Sequence, residues 1–259
     1  MNLLAPADLP VFLLALCRVS GVVALAPVFG TPMAPAPLKA FLSLVLAAVF
    51  FPLVRGAGVP ADAGFLDLAL AGAGELAVGL AIGFAAALLF AAVQLAGQIL
   101  DQELGVQQAA LLDPFSDAPV AVVGQFKVFL ATLVYLLLNG HLLLLAAVGE
   151  SFRAVPLLGA SLREGAGLHL SSALPVDLFR MAAQIAAPAL VTVFLVTLAL
   201  AFMARGVPEL NPFGTAIPVR FAAGLLVLAV GVGIFVSVFE SQALRHHDSV
   251  RRLIGLLGG

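Results

Sequence analysis

Charged side chains are scarce in this sequence. Only 10% of its 259 residues are Asp, Glu, Lys or Arg, and the formal net charge is −2. Soluble domains carry about a quarter of charged residues, so this composition excludes an ordinary soluble enzyme. The chain has no basic run, which leaves nucleic-acid binding without an electrostatic footprint. Cys17 is the only cysteine, so an internal disulfide is excluded.

Aromatic residues with a polar end are also lacking. Trp is absent and Tyr135 is the only tyrosine, although the chain contains 19 Phe. Membrane helices usually carry Trp and Tyr at both interfaces with water. Their lack indicates that much of the surface faces other protein chains.

The sequence contains no nucleotide-binding motif G-x-x-x-x-G-K-[ST] and no zinc-binding motif H-E-x-x-H. The motif G-x-S-x-G, which carries a nucleophilic serine, is also missing. His141 has no second His or Cys at ligand spacing nearby. His246 and His247 lie in a polar tail, where we expect them to be solvated. We therefore predict no enzyme activity, no cofactor and no metal.

Long apolar runs dominate what is present. Four stretches of about twenty residues carry no charge, namely 76–100, 128–149, 181–204 and 221–239. A helix of that length crosses a hydrocarbon core of about 30 Å. The sequence predicts an all-α, polytopic membrane protein with about six long hydrophobic helices, some broken or kinked, in a single domain over residues 1–259.

The run over residues 65–100 is too long for one span. As a single helix it would measure about 55 Å. We expect it either to break near Gly72 and Gly74 or to project beyond the membrane. Pro188 should kink the later run over residues 175–204.

In the run over residues 65–100, small residues recur every four positions and would form a stripe on one face of a helix. Small side chains let helix backbones approach closely. The stripe predicts packing either within the chain or against a neighbouring subunit, and it consists of Gly79, Gly83, Ala87 and Ala91.

Polar side chains interrupt the apolar runs and should face protein or water, because an unpaired polar group in lipid is costly. Arg18 lies inside the first apolar stretch, and a buried arginine needs a carboxylate or backbone partner. Glu75 is a candidate partner. The pair could be a structural ion pair or a functional switch. The others could form interhelical hydrogen bonds or line an aqueous conduit: Gln94, Gln98, Asn139, His141 and Gln184.

The segment 101–119 combines four acidic residues with an apolar centre at 109–112 and Phe115. A solvated loop has little use for such a centre. We expect it to pack against its own helices or to plug a pore.

Four groups of residues, in this order and spacing, resemble the FliR family of flagellar export-apparatus proteins and its SctT counterpart in virulence type III secretion. The resemblance extends from about residue 9 to 244. It departs at Lys39, Glu209 and Ala216, where the family commonly has Arg, Gln and Gly. The groups are Leu9-Pro10, Arg18-Val19-Ser20-Gly21, Ala26-Pro27-Val28-Phe29-Gly30, Pro35 and Lys39; then Glu75, Gly79, Gly83, Gly97, Asp101, Gly105 and Asp113-Pro114; then Asn139-Gly140-His141; then Arg205, Pro208-Glu209-Leu210-Asn211 and Pro218.

The resemblance implies a subunit of an all-α export gate in the bacterial inner membrane, within the flagellar basal body. It implies a FliP-like part at about 1–150 and a FliQ-like hairpin at about 175–245. The implied partners are FliP-like and FliQ-like subunits, with FlhB-like and FlhA-like proteins, and the implied cargo is unfolded flagellar subunits. The implied channel plug comprises Gly105, Ala109, Ala110, Leu111, Leu112, Asp113, Pro114 and Phe115.

Two alternatives remain at this point. The same architecture could serve a virulence secretion system, which the sequence barely separates from a flagellar one. A stand-alone small-molecule transporter is the alternative from another class, and it predicts inverted internal repeats.

Overall fold

The structure is a computed structural model that describes residues 8–31, 34–59, 64–105, 121–159, 164–206 and 212–258. These ranges contain helices and no strand. A five-residue π-helical stretch, His169–Ala173, joins the sixth helix to the seventh. The helices are α1 (Leu9–Leu25), α2 (Ala36–Val54), α3 (Phe65–Glu103), α4 (Val122–Leu137), α5 (Gly140–Ala154), α6 (Glu164–Leu168), α7 (Leu174–Gly206), α8 (Pro212–Val230) and α9 (Val232–Gly258).

The predicted all-α membrane protein is confirmed. Three of its helices are long and apolar enough to cross a membrane, or up to five spans if each of two bent pairs counts as one. About six were expected, and the difference arises partly because α1 has only 17 residues. Of the two alternatives for the run over residues 65–100, the break near Gly72 and Gly74 does not occur, since α3 continues through both glycines for 39 residues.

The breaks occur instead within two apolar runs that looked continuous. Helices α4 and α5 meet at 65°, and α8 and α9 meet at 60°. The first bend lies at Asn139, which adopts a left-handed φ of 54°, a conformation that asparagine tolerates better than most residues. The second lies at Gly231, between Val230 and Val232.

The chain divides into two compact units. Unit 1 comprises Met1–Leu89, Asn139–Val176 and Ala243–Gly259, and unit 2 comprises Phe90–Leu138 and Asp177–Gln242. Each of the three longest described helices contributes residues to both units.

Unit 1 depends on a glycine-mediated crossing of α1 and α3. A Cβ atom added to Gly21 would lie 2.7 Å from the Leu76 carbonyl oxygen, and one added to Gly79 would overlap the Arg18 carbonyl oxygen. A Cβ on Gly83 would lie 2.8 Å from the Val22 oxygen. The two backbones therefore touch, as small residues permit.

The C-terminal part of α9 belongs to the core of unit 1. Leu253 and Leu257 are buried, and so is His246, whose Nε2 lies 2.6 Å from the Ala85 carbonyl oxygen. The expectation that His246 is solvated was wrong, because this amphipathic helix packs its apolar face inward. Arg251 forms an exposed ion pair with Glu150 of α5.

Unit 2 contains a second close crossing, between α3 and α4. A Cβ added to Gly97 would overlap the Cα atom of Gly124. Next to it, the ring of Phe90 makes edge contacts with Tyr135 and Phe239, at centroid distances of 5.3 and 6.1 Å. Aromatic pairs of this geometry add to the burial of apolar area.

Gly79→Ala is expected to lower the midpoint of thermal unfolding in mild detergent, because the new methyl group meets backbone. Overpacking of this kind costs about 1–3 kcal/mol. Gly72→Ala is the control in the same helix, since its Cβ would lie 3.5 Å from Cys17 Sγ, an ordinary contact. It should be neutral or stabilising, as alanine favours helix over glycine by about 1 kcal/mol. Equal midpoints for the two variants would contradict the crossing.

Candidate functional site

Only the first residue of the predicted plug lies within the described part of the chain. Gly105 is buried and ends α3 with φ of 77°, a conformation that glycine adopts without strain. The other predicted plug residues lie outside the described residues, which resume at Ala121. The site can therefore be built from the two ends of this segment.

Asp101 connects those two ends. Its side chain belongs to the last turn of α3 and is fully buried. One carboxylate oxygen accepts the backbone N–H of Val123 at 3.0 Å, and the other accepts the N–H of Gly124 at 2.9 Å. These N–H groups belong to the first turn of α4, where helix geometry leaves donors without a partner. A carboxylate there is doubly favourable, because it also meets the positive end of the helix dipole.

The Gly97–Gly124 crossing brings Asp101 within reach of these donors. Asp101 lies one helical turn after Gly97, and a Cβ on Gly124 would lie 3.3 Å from its Oδ2. We call Gly97, Asp101 and Gly124 the stem clamp. It fixes the point where the chain leaves α3 relative to the point where it enters α4.

A second polar cluster lies in unit 1, around Arg18 and Glu75, which are both fully buried. Arg18 Nε donates to Glu75 Oε2 at 2.6 Å. The other carboxylate oxygen, Oε1, accepts the backbone N–H of Leu158 at 3.2 Å. The pairing considered from the sequence is therefore present, and both carboxylate oxygens have partners.

The remaining Arg18 donors cap the C-terminus of α5. Nη1 donates to the Ser151 carbonyl at 2.9 Å, and Nη2 donates to the Val155 carbonyl at 2.9 Å. The guanidinium also lies 4.6 Å from the centre of the Phe152 ring, within cation–π range. The Ser151 carbonyl also accepts the N–H of Val155 at 2.9 Å, so the arginine adds a second hydrogen bond there, and it supplies a donor to the Val155 carbonyl just beyond the helix. One side chain thus ties together α1, α3 and the end of α5.

The motif at residues 26–30 forms a tight turn after α1. Val28 has φ of 69°, which is rare for a β-branched residue. A Cβ on Gly30 would lie 2.7 Å from the Ala24 oxygen, and Lys39 Nζ donates to the Gly30 carbonyl at 3.0 Å. The glycine, the lysine and the turn therefore belong to one local structure.

The small-residue stripe divides into two parts. Gly79 and Gly83 are buried against α1 of the same chain. Ala87 and Ala91 are half-buried and leave part of their surface free for another contact.

The other polar residues are not gathered into one site. In the isolated chain Gln94, Gln98, Asn139 and Gln184 are exposed. Gln184 accepts a hydrogen bond from Gln242. His141 is half-buried, and its Nδ1 has no hydrogen-bond partner among the described residues.

The loop motif is only partly described. Arg205 and Pro218 are exposed, whereas Pro208, Glu209 and Asn211 lie outside the described residues. Within the described ranges, no group of three His, Cys, Asp or Glu residues could hold a metal ion.

Sequence reasoning missed two groups. Asp101 was expected to belong to the loop. The signal that could have indicated a buried cap is an acidic residue one helical turn after Gly97 at the end of an apolar helix. Lys127 was passed over, although it is the only Asp, Glu, Lys or Arg between Asp117 and Glu150. Its side chain is only 6% exposed.

Comparison with known proteins identifies relatives over most of the chain. Residues 9–245 match the family described as "Bacterial export proteins, family 1". The chain is 31% identical to the flagellar biosynthetic protein FliR of Bacillus subtilis (strain 168), over 96% of each chain. It is 29% identical to FliR of Escherichia coli (strain K12), over 83% of this chain and 81% of that one. It is 30% identical to the Yop proteins translocation protein T of Yersinia pestis, over 71% and 70%.

Arg18→Met should destabilise the protein more than Glu75→Gln. Removing one partner of a buried ion pair costs about 3–5 kcal/mol, and the loss of Arg18 also removes one hydrogen bond from each of the Ser151 and Val155 carbonyls. The measurement is the denaturation midpoint in mild detergent. Glu150→Gln is the control, because it breaks an exposed ion pair worth about 0–1 kcal/mol. A Glu150→Gln effect as large as that of Glu75→Gln would refute this ranking.

Asp101→Ala should accelerate hydrogen exchange at the amides of Val123 and Gly124, since it removes both acceptors. Loss of a helix cap costs about 0.5–2 kcal/mol. Asp101→Asn keeps one oxygen and should have a smaller effect. Glu103→Ala alters an exposed acid two residues later and should leave the first turn of α4 unchanged. Unaltered exchange in Asp101→Ala would show that the clamp does not hold this turn.

Proposed function

Because the chain belongs to family 1 of the bacterial export proteins, we propose that it is a structural and gating subunit of the flagellar type III protein export gate. It forms part of the channel through which unfolded flagellar subunits cross the inner membrane. The observation that carries this proposal is the family match along nearly the entire chain, together with relatives of that name at matching length. The coarser statement, a membrane component of a flagellar or type III export apparatus, follows from the same relatives and from the apolar helices.

The partners proposed are FliP-like and FliQ-like subunits, with FlhB-like and FlhA-like proteins alongside. Support comes from large apolar side chains that are exposed in the isolated chain. Helix α2 exposes Phe41 and Val49 by more than 60%, and α7 exposes Phe179, Phe194 and Phe202 to a similar degree. Chains that pack against such faces would cover them, which also agrees with the missing Trp and Tyr belts.

The internal organisation proposed is a FliP-like part over about 1–150 followed by a FliQ-like hairpin over about 175–245. Support comes from the order of elements. After α7, the chain continues across 207–211 into the bent pair α8–α9, which gives two long apolar segments in succession.

The gating element proposed is the segment from Gly105 to Phe115, with the apolar residues 109–112 filling the closed channel. Apolar side chains there exclude water and ions, so the membrane does not leak protons. The stem clamp supports this role, because Asp101 fixes the point where the chain leaves α3 relative to the point where it enters α4. Opening must require only a few kcal/mol, since a substrate shifts a two-state gate only by its differential affinity for the two states.

Two other functions compete with this one. The Yersinia relative supports the equivalent subunit of a virulence secretion system, and its share of the chain is smaller. A stand-alone small-molecule transporter rests only on polar groups in apolar helices, most of which are exposed rather than gathered into a pocket.

The test is a deletion of the gene in its own host, scored for filament assembly and for secretion of flagellar subunits into the medium. Loss of both, restored by the intact chain, is the expected result. Filaments on the deletion strain would refute a flagellar role, and loss of effector secretion with normal filaments would assign the chain to a virulence system.

Deleting residues 109–112 should increase ion conductance through the assembled complex while leaving assembly intact, because the apolar contact is lost. Leu111→Ser with Leu112→Ser tests the same contact at unchanged chain length. Gln107→Ser with Gln108→Ser is the control in the same segment and should not leak. Conductance is measured in planar bilayers with the purified complex. If the deletion leaves conductance unchanged, the segment packs without plugging.

A further inference from the structure

A cleft in unit 2 presents one buried positive charge to an otherwise apolar cavity. The cavity has a volume of about 290 Å³ and lies between α4, α7 and the α8–α9 bend. Its polar lining is confined to the side chains of Lys127 and Gln184. The apolar lining includes Phe126, Leu130, Ile185, Ala189, Leu226 and Phe235.

Lys127 has little compensation for its charge within this unit. Its Nζ makes one long hydrogen bond, 3.5 Å to the Ile185 carbonyl, and lies 5.2 Å from the centre of the Phe235 ring. No carboxylate among the described residues forms an ion pair with it. An ammonium has three donors, so donors remain for an anion. A charge buried among apolar groups without a counter-ion is costly and marks a functional site.

The depth of the cleft is given by the charge-free runs. Lys127 directly precedes the run 128–149, Ile185 lies four residues inside the run 181–204, and Phe235 lies four residues before the end of the run 221–239. Four residues of helix correspond to about 6 Å. The positive charge therefore lies near the ends of three charge-free runs, toward the edge of the apolar zone.

Size favours a lipid over a single acidic side chain. A volume near 290 Å³ approaches the lower end of ligand pockets, about 300 Å³. A single carboxylate would neutralise Lys127 but would not itself fill the apolar part of the cleft. An amphiphile with one negative headgroup and an acyl chain satisfies both the charge and the lining. The Gln184 amide N–H₂ adds a second donor, because its oxygen is already bonded to Gln242.

We propose that this cleft binds an anionic phospholipid, with the phosphate on Lys127 and an acyl chain against α7 and the α8–α9 bend. The site would couple the bend at Gly231 to the surrounding bilayer. This inference goes beyond the export role and stands independently of it.

The experiment is native mass spectrometry of the chain, purified with whatever partners it retains, during titration with phosphatidylglycerol or with phosphatidylcholine. Phosphatidylglycerol should bind the wild type more tightly, and Lys127→Met should weaken it about tenfold or more, as expected for loss of a charge-assisted hydrogen bond. Lys127→Arg should retain binding. Arg180→Met, which removes an exposed cation of the same unit, should change little.

A second variant guards against a folding defect. Ala189→Leu adds volume to the cleft without changing charge and should also displace the lipid. Equal binding of the two lipids, or unchanged phosphatidylglycerol binding by Lys127→Met, would overturn the proposal. Loss of a protein partner in Lys127→Met but not in Lys127→Arg, without any lipid bound to the wild type, would assign the cleft to a partner's carboxylate and overturn it as well.

Discussion

The buried guanidinium of Arg18 is the constraint on which unit 1 depends. A chain this apolar offers few hydrogen-bond acceptors to a buried arginine. Arg18 donates to the Glu75 carboxylate and to two carbonyls at the end of α5. The arrangement requires α1 and α3 to lie in backbone contact. Gly21 and Gly79 make that contact possible because neither has a Cβ. The glycine crossing and the ion pair therefore act together. The glycines allow α1 and α3 to approach closely, and the Arg18–Glu75 pair fixes the position of one helix along the other.

In unit 2 a buried charged side chain likewise hydrogen-bonds backbone groups at a helix end, here the N-terminus of α4. Asp101 satisfies two donors that water would satisfy in a soluble protein, and the Gly97–Gly124 crossing brings it into range. Polar side chains thus organise an apolar chain at the points where its helices end. Lys127 is the exception, since its partners within the unit are a distant carbonyl and an aromatic ring. The phosphate of the proposed lipid would pair with its remaining donors, for which the described residues supply no carboxylate.

The sequence predicted the fold class from composition, and it offered Glu75 as a candidate partner of Arg18 because a charge in an apolar helix must be paired. It failed where tertiary packing overrides local preference. Gly72 and Gly74 suggested a break, yet α3 is continuous through them. The bend instead follows Asn139, whose Asn-Gly pair is a turn signal concealed by the flanking leucines. His246 seemed solvated because its neighbours in sequence are polar, and only the packed face of α9 reveals its burial. The role of Asp101 was hidden because its partners are backbone N–H groups more than twenty residues away.

In this chain, buried charged side chains hydrogen-bond backbone groups at the ends of α5 and α4. Large apolar side chains on α2 and α7 remain exposed in the isolated chain. The central claim is that other export-gate subunits cover them. The most direct test is purification of the tagged chain from its host in mild detergent, followed by mass spectrometry of the proteins that accompany it. The account predicts FliP-like and FliQ-like subunits in a large, stable complex. A lone monomer, under conditions in which other membrane complexes survive, would contradict it and favour a stand-alone transporter.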